Sequence, residues 1–95
     1  MNAYVMLDIQ ITDKEKFLEY QQLAPATVAQ YNGKFIVKGG QITQHEGDWE
    51  PSRMVVIEFP TRNQAEEWLE SEEYKKAAVI RRSAAKTSIV IVDGM

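Results

Sequence analysis

The order of elements along this chain predicts an α+β, ferredoxin-like βαββαβ fold, a four-stranded antiparallel sheet with its helices on one face. Three observations predict it: a strict apolar alternation at the start, two helical patterns that each open with a capping signal, and a β-branched strand between them. Two β-α-β units in tandem place strands one and three in the centre of the sheet. The 95 residues form one domain, residues 1–95.

Residues 3–11 are predicted to form strand one because apolar residues occupy every second position. The apolar positions are Ala3, Val5, Leu7, Ile9 and Ile11, whereas Tyr4, Met6, Asp8 and Gln10 are mixed in character. This alternation indicates one deeply buried face and a second face of different character.

The first helix is predicted to begin at a capping box formed by Thr12 and Glu15. Its apolar residues then recur at helical spacing as far as Tyr31. Pro25 lacks an amide hydrogen, so we expect a kink or two abutting segments there. Gly33 is suited to the left-handed position that ends a helix.

The remaining elements follow from turn and cap signals. Residues 34–38 are predicted as strand two, with a bulge or bend at Gly39-Gly40, and residues 53–59 as strand three. A second capping box, Thr61 with Gln64, opens helix two, and Ser71 is a fresh cap for a segment reaching about Arg82. Strand four is predicted over residues 88–92.

Composition excludes several classes of function. The net charge is −3, which disfavours nucleic acid or an anionic membrane as partner. The chain has no cysteine, so disulfides and zinc-thiolate sites are excluded. No apolar run approaches the ~20 residues that cross a bilayer, and no leader sequence precedes strand one, so we expect a cytoplasmic protein.

The predicted sheet leaves one face without helices. That face carries Tyr4, Met6, Asp8, Met54, Val56 and Glu58, joined by Val90 and Val92. This face is too apolar to stay exposed to water. It therefore favours a homodimer in which two sheets pack face to face. The alternative is a monomer that exposes a few scattered apolar residues.

Five segments together resemble a known family over nearly the whole chain. They are AYVMLDIQITD, LAPATVAQYNGKFIVKGG, EGDWEPSRMVVIEFP, AEEWLESEEYKKA and SIVIVDG. The chain resembles a bacterial domain-of-unknown-function family, number thirteen-thirty, within the dimeric α/β-barrel superfamily. The resemblance implies a dimeric α/β barrel and brings no established activity. The wider superfamily includes cofactor-free monooxygenases, muconolactone isomerases and heme-using enzymes, but extending their chemistry to this chain would rest on fold analogy.

The residues most typical of a ligand site are Trp49, Arg53, Tyr74 and Arg81. The aromatic residues offer flat apolar surface with a polar tip, and the arginines can bind a carboxylate by paired hydrogen bonds. Such a pocket, expected between helix two and the sheet, suits a small acid or an aromatic ring. Alternatively these residues are structural: Trp49 plugs a turn, Tyr74 belongs to the core, and the arginines pair with Glu58, Glu46 or Asp48.

Asp8 and Glu58 are weak catalytic candidates. Both lie on central strands of the open face, where burial among apolar side chains would favour the protonated acid and could make a general acid or base. Alternatively each pairs with an arginine or a hydroxyl across the dimer interface. His45, the only histidine, is expected to be an exposed surface residue. We see no metal cluster, no phosphate-binding loop and no indication of a cofactor.

Three classes of function therefore stay open. The first is a homodimer that binds a small organic acid or aromatic molecule without an assigned reaction. The second is a cofactor-independent monooxygenase or isomerase of the dimeric α/β-barrel type. The third is a structural or regulatory interaction module.

Overall fold

A computed structural model describes all residues 1–95 and has the ferredoxin-like architecture that the sequence predicts. The strands and helices follow one another as β1 (Ala3–Ile11), α1 (Lys14–Gln30), β2 (Lys34–Lys38), β3 (Met54–Phe59), α2 (Arg62–Glu70), α3 (Glu72–Ala84) and β4 (Ala85–Asp93). The sheet order is β2-β3-β1-β4 and every neighbouring pair is antiparallel. Strands one and three are therefore central, as predicted.

The register of the strands separates an inner face from an outer one. Val5 pairs with Ile57 on β3 and Ile91 on β4, and the inner residues of β1 and β3 are buried beneath the helices. The largest fully buried side chains are Trp68, Tyr74, Phe59, Leu7, Ile57, Val5 and Val28. The core thus lies between one face of the sheet and all three helices.

The opposite face, which we call the open sheet face, is left uncovered. It consists of Tyr4, Met6, Asp8, Met54, Val56, Glu58, Val90 and Val92, the residues that the sequence placed there. None of them is buried, and Val90 is 57% exposed. The molecule measures 34 × 31 × 17 Å, a thin two-layer shape with apolar side chains on an uncovered side.

Two of the three predicted helix caps are confirmed. Thr61 accepts a hydrogen bond from the Gln64 amide, and Ser71 accepts one from the Tyr74 amide, each at 3.1 Å. The first cap is wrong by one residue, because Asp13 rather than Thr12 caps α1 and accepts from the Lys16 amide. The Thr12 amide instead donates to the Ala84 carbonyl, which ties this residue to the end of α3.

The junction between α1 and β2 differs from the prediction in its details. Pro25 does not divide α1, so two abutting segments are not formed. The left-handed residue is Asn32, with φ of 63°, and not Gly33. Gly33 has a different role, since a Cβ there would lie 2.6 Å from the Phe59 ring. Position 33 therefore has to be glycine, because a larger residue would not pack there.

A bend occurs at Gly39, as predicted for Gly39-Gly40, and β2 also contains a bulge inside the strand. The pairing with β3 shifts between Phe35 and Val37, and Gly39 follows the strand with φ of 73°. β4 is longer than predicted because β1 offers partners along its whole length, down to Ile11 opposite Ala85. No helix combines the length and apolar character needed to cross a membrane.

Candidate functional site

A small cavity lies between α1 and the sheet. Its volume is about 30 Å³, enough for a single water. Fourteen residues line this space, which we call the α1 cavity: Leu7, Ile9, Phe17, Tyr20, Gln21, Ala24, Pro25, Val28, Phe35, Lys38, Arg53, Val55, Ile57 and Trp68. The sequence predicted a pocket between helix two and the sheet, whereas this cavity lies under helix one, because the residues of α2 and α3 that face the sheet are packed tightly in the core.

The lining of the α1 cavity is apolar except for a cationic edge. Ten of the fourteen residues are hydrophobic and none is acidic. Lys38 is exposed and Arg53 is half-buried, so these two cations lie where the cavity meets solvent. An apolar space with cations at its rim suits an apolar group that carries a carboxylate.

Arg53 directly precedes β3, and its side chain lies against Gly39, the residue that follows β2. Its guanidinium packs against Gly39, where any Cβ would collide with it. No acidic side chain lies within 4.0 Å of Arg53, and its Nε is buried without a hydrogen-bond partner. The structural alternative, in which Arg53 pairs with a carboxylate of its own chain, therefore does not hold.

Tyr74 and Arg81 lie deep in the core, next to the wall of the cavity. The Tyr74 ring packs 4.1 Å from the Trp68 ring, centroid to centroid. Its hydroxyl is 2.8 Å from the Tyr20 hydroxyl, and Arg81 Nη1 donates to it at 3.4 Å. Arg81 is only 5% exposed, has no acidic partner within 4.0 Å, and its Nε makes no hydrogen bond.

Burial strongly raises the pKa of the Tyr20 phenol above its ordinary value. Desolvation is the largest cause, and the neighbouring Tyr74 adds to it, while the Arg81 charge opposes it. The phenol is therefore protonated at neutral pH and can act as a hydrogen-bond donor.

Trp49 lies on the other side of the sheet, on the open sheet face. Its indole Nε1 donates to Asp8 Oδ2 at 2.9 Å, and the Ser52 amide donates to Asp8 Oδ1 at the same distance. Asp8 thus anchors the segment that joins β2 to β3. A shallow hollow of about 170 Å³ adjoins this anchor and is lined by Met6, Asp8, Trp49, Met54, Ser88 and Val90.

Glu58, the second carboxylate of the open sheet face, is also occupied. It accepts a hydrogen bond from the Tyr4 hydroxyl at 3.1 Å and forms an ion pair with Lys34 at 3.4 Å. Tyr4 lies directly opposite it in the β1–β3 register. Both acidic candidates therefore have hydrogen-bond partners, and neither lines the α1 cavity.

The four residues predicted to bind a ligand do not share one pocket. Arg53 lines the α1 cavity, Tyr74 and Arg81 are buried behind it, and Trp49 is on the opposite face. The residue that sequence reasoning missed is Tyr20, which belongs to the cavity wall and contacts Tyr74. Its helical position among apolar residues indicated only a core role. His45 is exposed, as predicted.

Structural comparison finds the same fold in proteins of distant sequence. A protein of unknown function from Rhodopseudomonas palustris has a TM-score of 0.74 at 14% identity, with 99% of this chain and 82% of that chain covered. A dimeric ferredoxin-like protein of unknown function from Jannaschia sp. CCS1 gives 0.78 at 8% identity, with 99% and 100% covered. SnoaB, a cofactor-independent oxygenase from Streptomyces nogalater, gives 0.71 at 12% identity, with 99% and 93% covered.

Sequence comparison settles the family. A search of curated proteins finds no match. The family model described as "Domain of unknown function (DUF1330)" matches residues 2–95, and the chain therefore belongs to this family.

Proposed function

We propose that this protein is a homodimer that binds a small organic acid or aromatic molecule in the α1 cavity, with Arg53 holding the acidic group. One observation carries the ligand half of this proposal: a guanidinium with a buried, unpartnered Nε lies at the rim of an apolar cavity. A buried donor without an acceptor costs free energy. An incoming carboxylate supplies that acceptor.

The dimer half is supported by the open sheet face. Its apolar residues are uncovered, and two of the similar solved structures are described as dimeric ferredoxin-like proteins. Packing two such faces together would remove apolar surface from water at ~25 cal/mol per Å². It would leave the helix side of each protomer, and so each α1 cavity, accessible to ligand.

The size of the α1 cavity limits what enters without rearrangement. At about 30 Å³ it takes a group of one or two heavy atoms, so a ring-sized ligand requires its walls to move outward. The segment of residues 39–53 has no regular secondary structure, and it contributes the Arg53 side chain to the lining of the cavity.

Calorimetric titration with propionate and benzoate tests the ligand half. We expect both acids to bind, and Arg53→Gln to weaken each about tenfold or more, as for the loss of a charge-assisted hydrogen bond. Arg82→Gln is the matched control, because Arg82 is exposed on α3 and does not line the cavity. Absence of binding, or equal loss in both variants, would contradict the proposal.

A cofactor-independent monooxygenase or isomerase is the second candidate, and one observation favours it. The α1 cavity is mostly apolar with a protonated phenol in its wall, an environment in which a bound acid or phenol would be desolvated. Oxygen consumption with phenolic acids, measured without added cofactor, would distinguish the monooxygenase from a binding protein, and conversion of a phenolic acid to a product of equal mass without oxygen uptake would indicate the isomerase. A structural or regulatory module, the third candidate, would bind none of these probes.

A further inference from the structure

Three side chains from two helices form a buried polar chain next to the α1 cavity. Arg81 and Tyr74 belong to α3, and Tyr20 belongs to α1. Arg81 Nη1 lies 3.4 Å from the Tyr74 hydroxyl, which lies 2.8 Å from the Tyr20 hydroxyl. All three residues are at least nine-tenths buried.

The hydrogen bonds among Arg81, Tyr74 and Tyr20 leave one phenolic proton without an acceptor. A guanidinium has donors and no acceptor, so the Tyr74 oxygen must accept from Arg81. The two phenols then share one hydrogen bond between them, although they carry two protons. One phenolic O–H therefore has no acceptor within the chain.

Burial decides where the spare proton goes. Tyr74 is 1% exposed and is enclosed by the Trp68 and Tyr20 rings, so a free O–H there would be buried without a partner. Tyr20 borders the α1 cavity. The favoured arrangement runs from Arg81 to Tyr74 to Tyr20 and leaves the free proton on Tyr20, the residue that lines the cavity.

The charge of Arg81 strengthens this donor. No acidic side chain lies within 4.0 Å of the guanidinium, so its charge acts on the phenols without a counterion. Since burial keeps the Tyr20 phenol protonated, the chain presents a polarised neutral donor rather than a phenolate. Acceptors for such a donor are ketone, enolate, phenolate and carboxylate oxygens.

We propose that Tyr20 is a ligand-binding residue of the α1 cavity that donates to an oxygen of the ligand, and that Tyr74 and Arg81 position it. Because Arg53 takes a carboxylate at the rim, the ligand class is a carboxylic acid with a second acceptor oxygen, such as a 2-oxo acid. This inference rests on the proposed function and adds to it the chemistry of the second contact.

Pyruvate and propionate form a matched pair of probes, since they share the carboxylate and differ by a ketone oxygen. We expect wild-type protein to bind pyruvate about tenfold more tightly in calorimetric titration, the effect of one hydrogen bond. Tyr20→Phe should remove this preference and retain propionate binding. Arg81→Met should reduce the preference without lowering propionate affinity, which a merely structural role would not do. Tyr31→Phe is the control, because Tyr31 does not line the cavity.

The outcomes separate the two proposals. Equal affinities in wild-type protein, or a preference that survives Tyr20→Phe, would remove the role of Tyr20 and leave the acid site at Arg53 intact. Failure of both probes to bind would remove both proposals. A high-resolution crystal structure of the unliganded protein gives a second test: we expect a water about 2.8 Å from the Tyr20 hydroxyl oxygen, and a dry cavity there would overturn the inference.

Discussion

Arg81 is a charged residue that is buried in the core without a counterion. It is 5% exposed, lacks an acidic partner and leaves its Nε without a hydrogen bond. Burying an unpaired charge costs several kcal/mol, and apolar replacements of buried charges are often neutral or stabilising. A residue that lowers stability in this way is typical of a functional site.

We therefore expect Arg81→Met to be at least as stable as wild-type protein, with a gain of up to about 2 kcal/mol in the free energy of unfolding. Methionine fills similar volume and needs no hydrogen bonds. Urea denaturation monitored by circular dichroism measures this. A loss of more than about 1 kcal/mol would show that the guanidinium stabilises the core.

Tyr20 makes stability depend on pH at the alkaline end. Burial raises the pKa of its phenol in the folded state, whereas the unfolded chain releases that proton near pH 10. Below pH 10 the phenol is protonated in both the folded and the unfolded state, so its full contribution to the free energy of unfolding is present. Above pH 10 the folded state holds more protons, so stability falls as pH rises, by about 1.4 kcal/mol per unit.

Tyr20→Phe removes this titration. We expect the stability of wild-type protein relative to the variant to be constant from pH 8 to about 9.5 and to decline above pH 10. Denaturant titrations of both proteins at each pH measure the difference, so other alkaline groups cancel. A difference that does not change with pH would mean that the phenol is not buried as described.

At the scale of elements, the errors in the sequence predictions have non-local causes. Asn32 and Gly33 are both able to adopt the left-handed conformation, and local preference favoured glycine. The left-handed residue is Asn32, and glycine at position 33 has a different, non-local reason: the Phe59 ring, 26 positions later, occupies the space that a Cβ at Gly33 would need. The Thr12 and Asp13 amides at the start of α1 both donate to the Ala84 carbonyl at the end of α3, a distant contact that the local capping pattern does not contain.

Gly33→Ala should destabilise the protein by about 1–3 kcal/mol, because the added methyl would overlap the Phe59 ring and Val28. Gly40→Ala is the matched control, since nothing lies within 4 Å of its added Cβ and its φ is not left-handed. We expect the control to change stability by less than about 0.5 kcal/mol. Thermal denaturation of both variants measures this, and equal behaviour would contradict the packing role of Gly33.

At the scale of the whole molecule, periodic patterns were sufficient to predict the fold. They were not sufficient to predict the site. The alternation in β1, the caps at Thr61 and Ser71 and the uncovered face are all legible in short segments. The site depends on distant pairs: Tyr20 meets Tyr74 across 54 positions, and Trp49 reaches Asp8 across 41. The path of residues 39–53, which no periodicity constrains, places Trp49 on the open sheet face and Arg53 at the α1 cavity.

In the proposed function the two faces of the sheet have separate roles: the open sheet face forms the dimer, and the face beneath α1 binds the ligand. Val56 lies opposite Met6 near the centre of the open sheet face, so Val56→Glu should place a charge inside the dimer interface and produce monomers with unchanged circular dichroism. Val79→Glu is the control, because Val79 is 64% exposed on the helix side. Loss of dimer in the control alone would place the interface on the helices.

The pairing of two open sheet faces is the claim on which this arrangement depends. Light scattering of wild-type protein during size-exclusion chromatography tests it most directly. We expect a species of twice the 10.9 kDa chain mass at micromolar concentration. A species with the mass of one chain would contradict it.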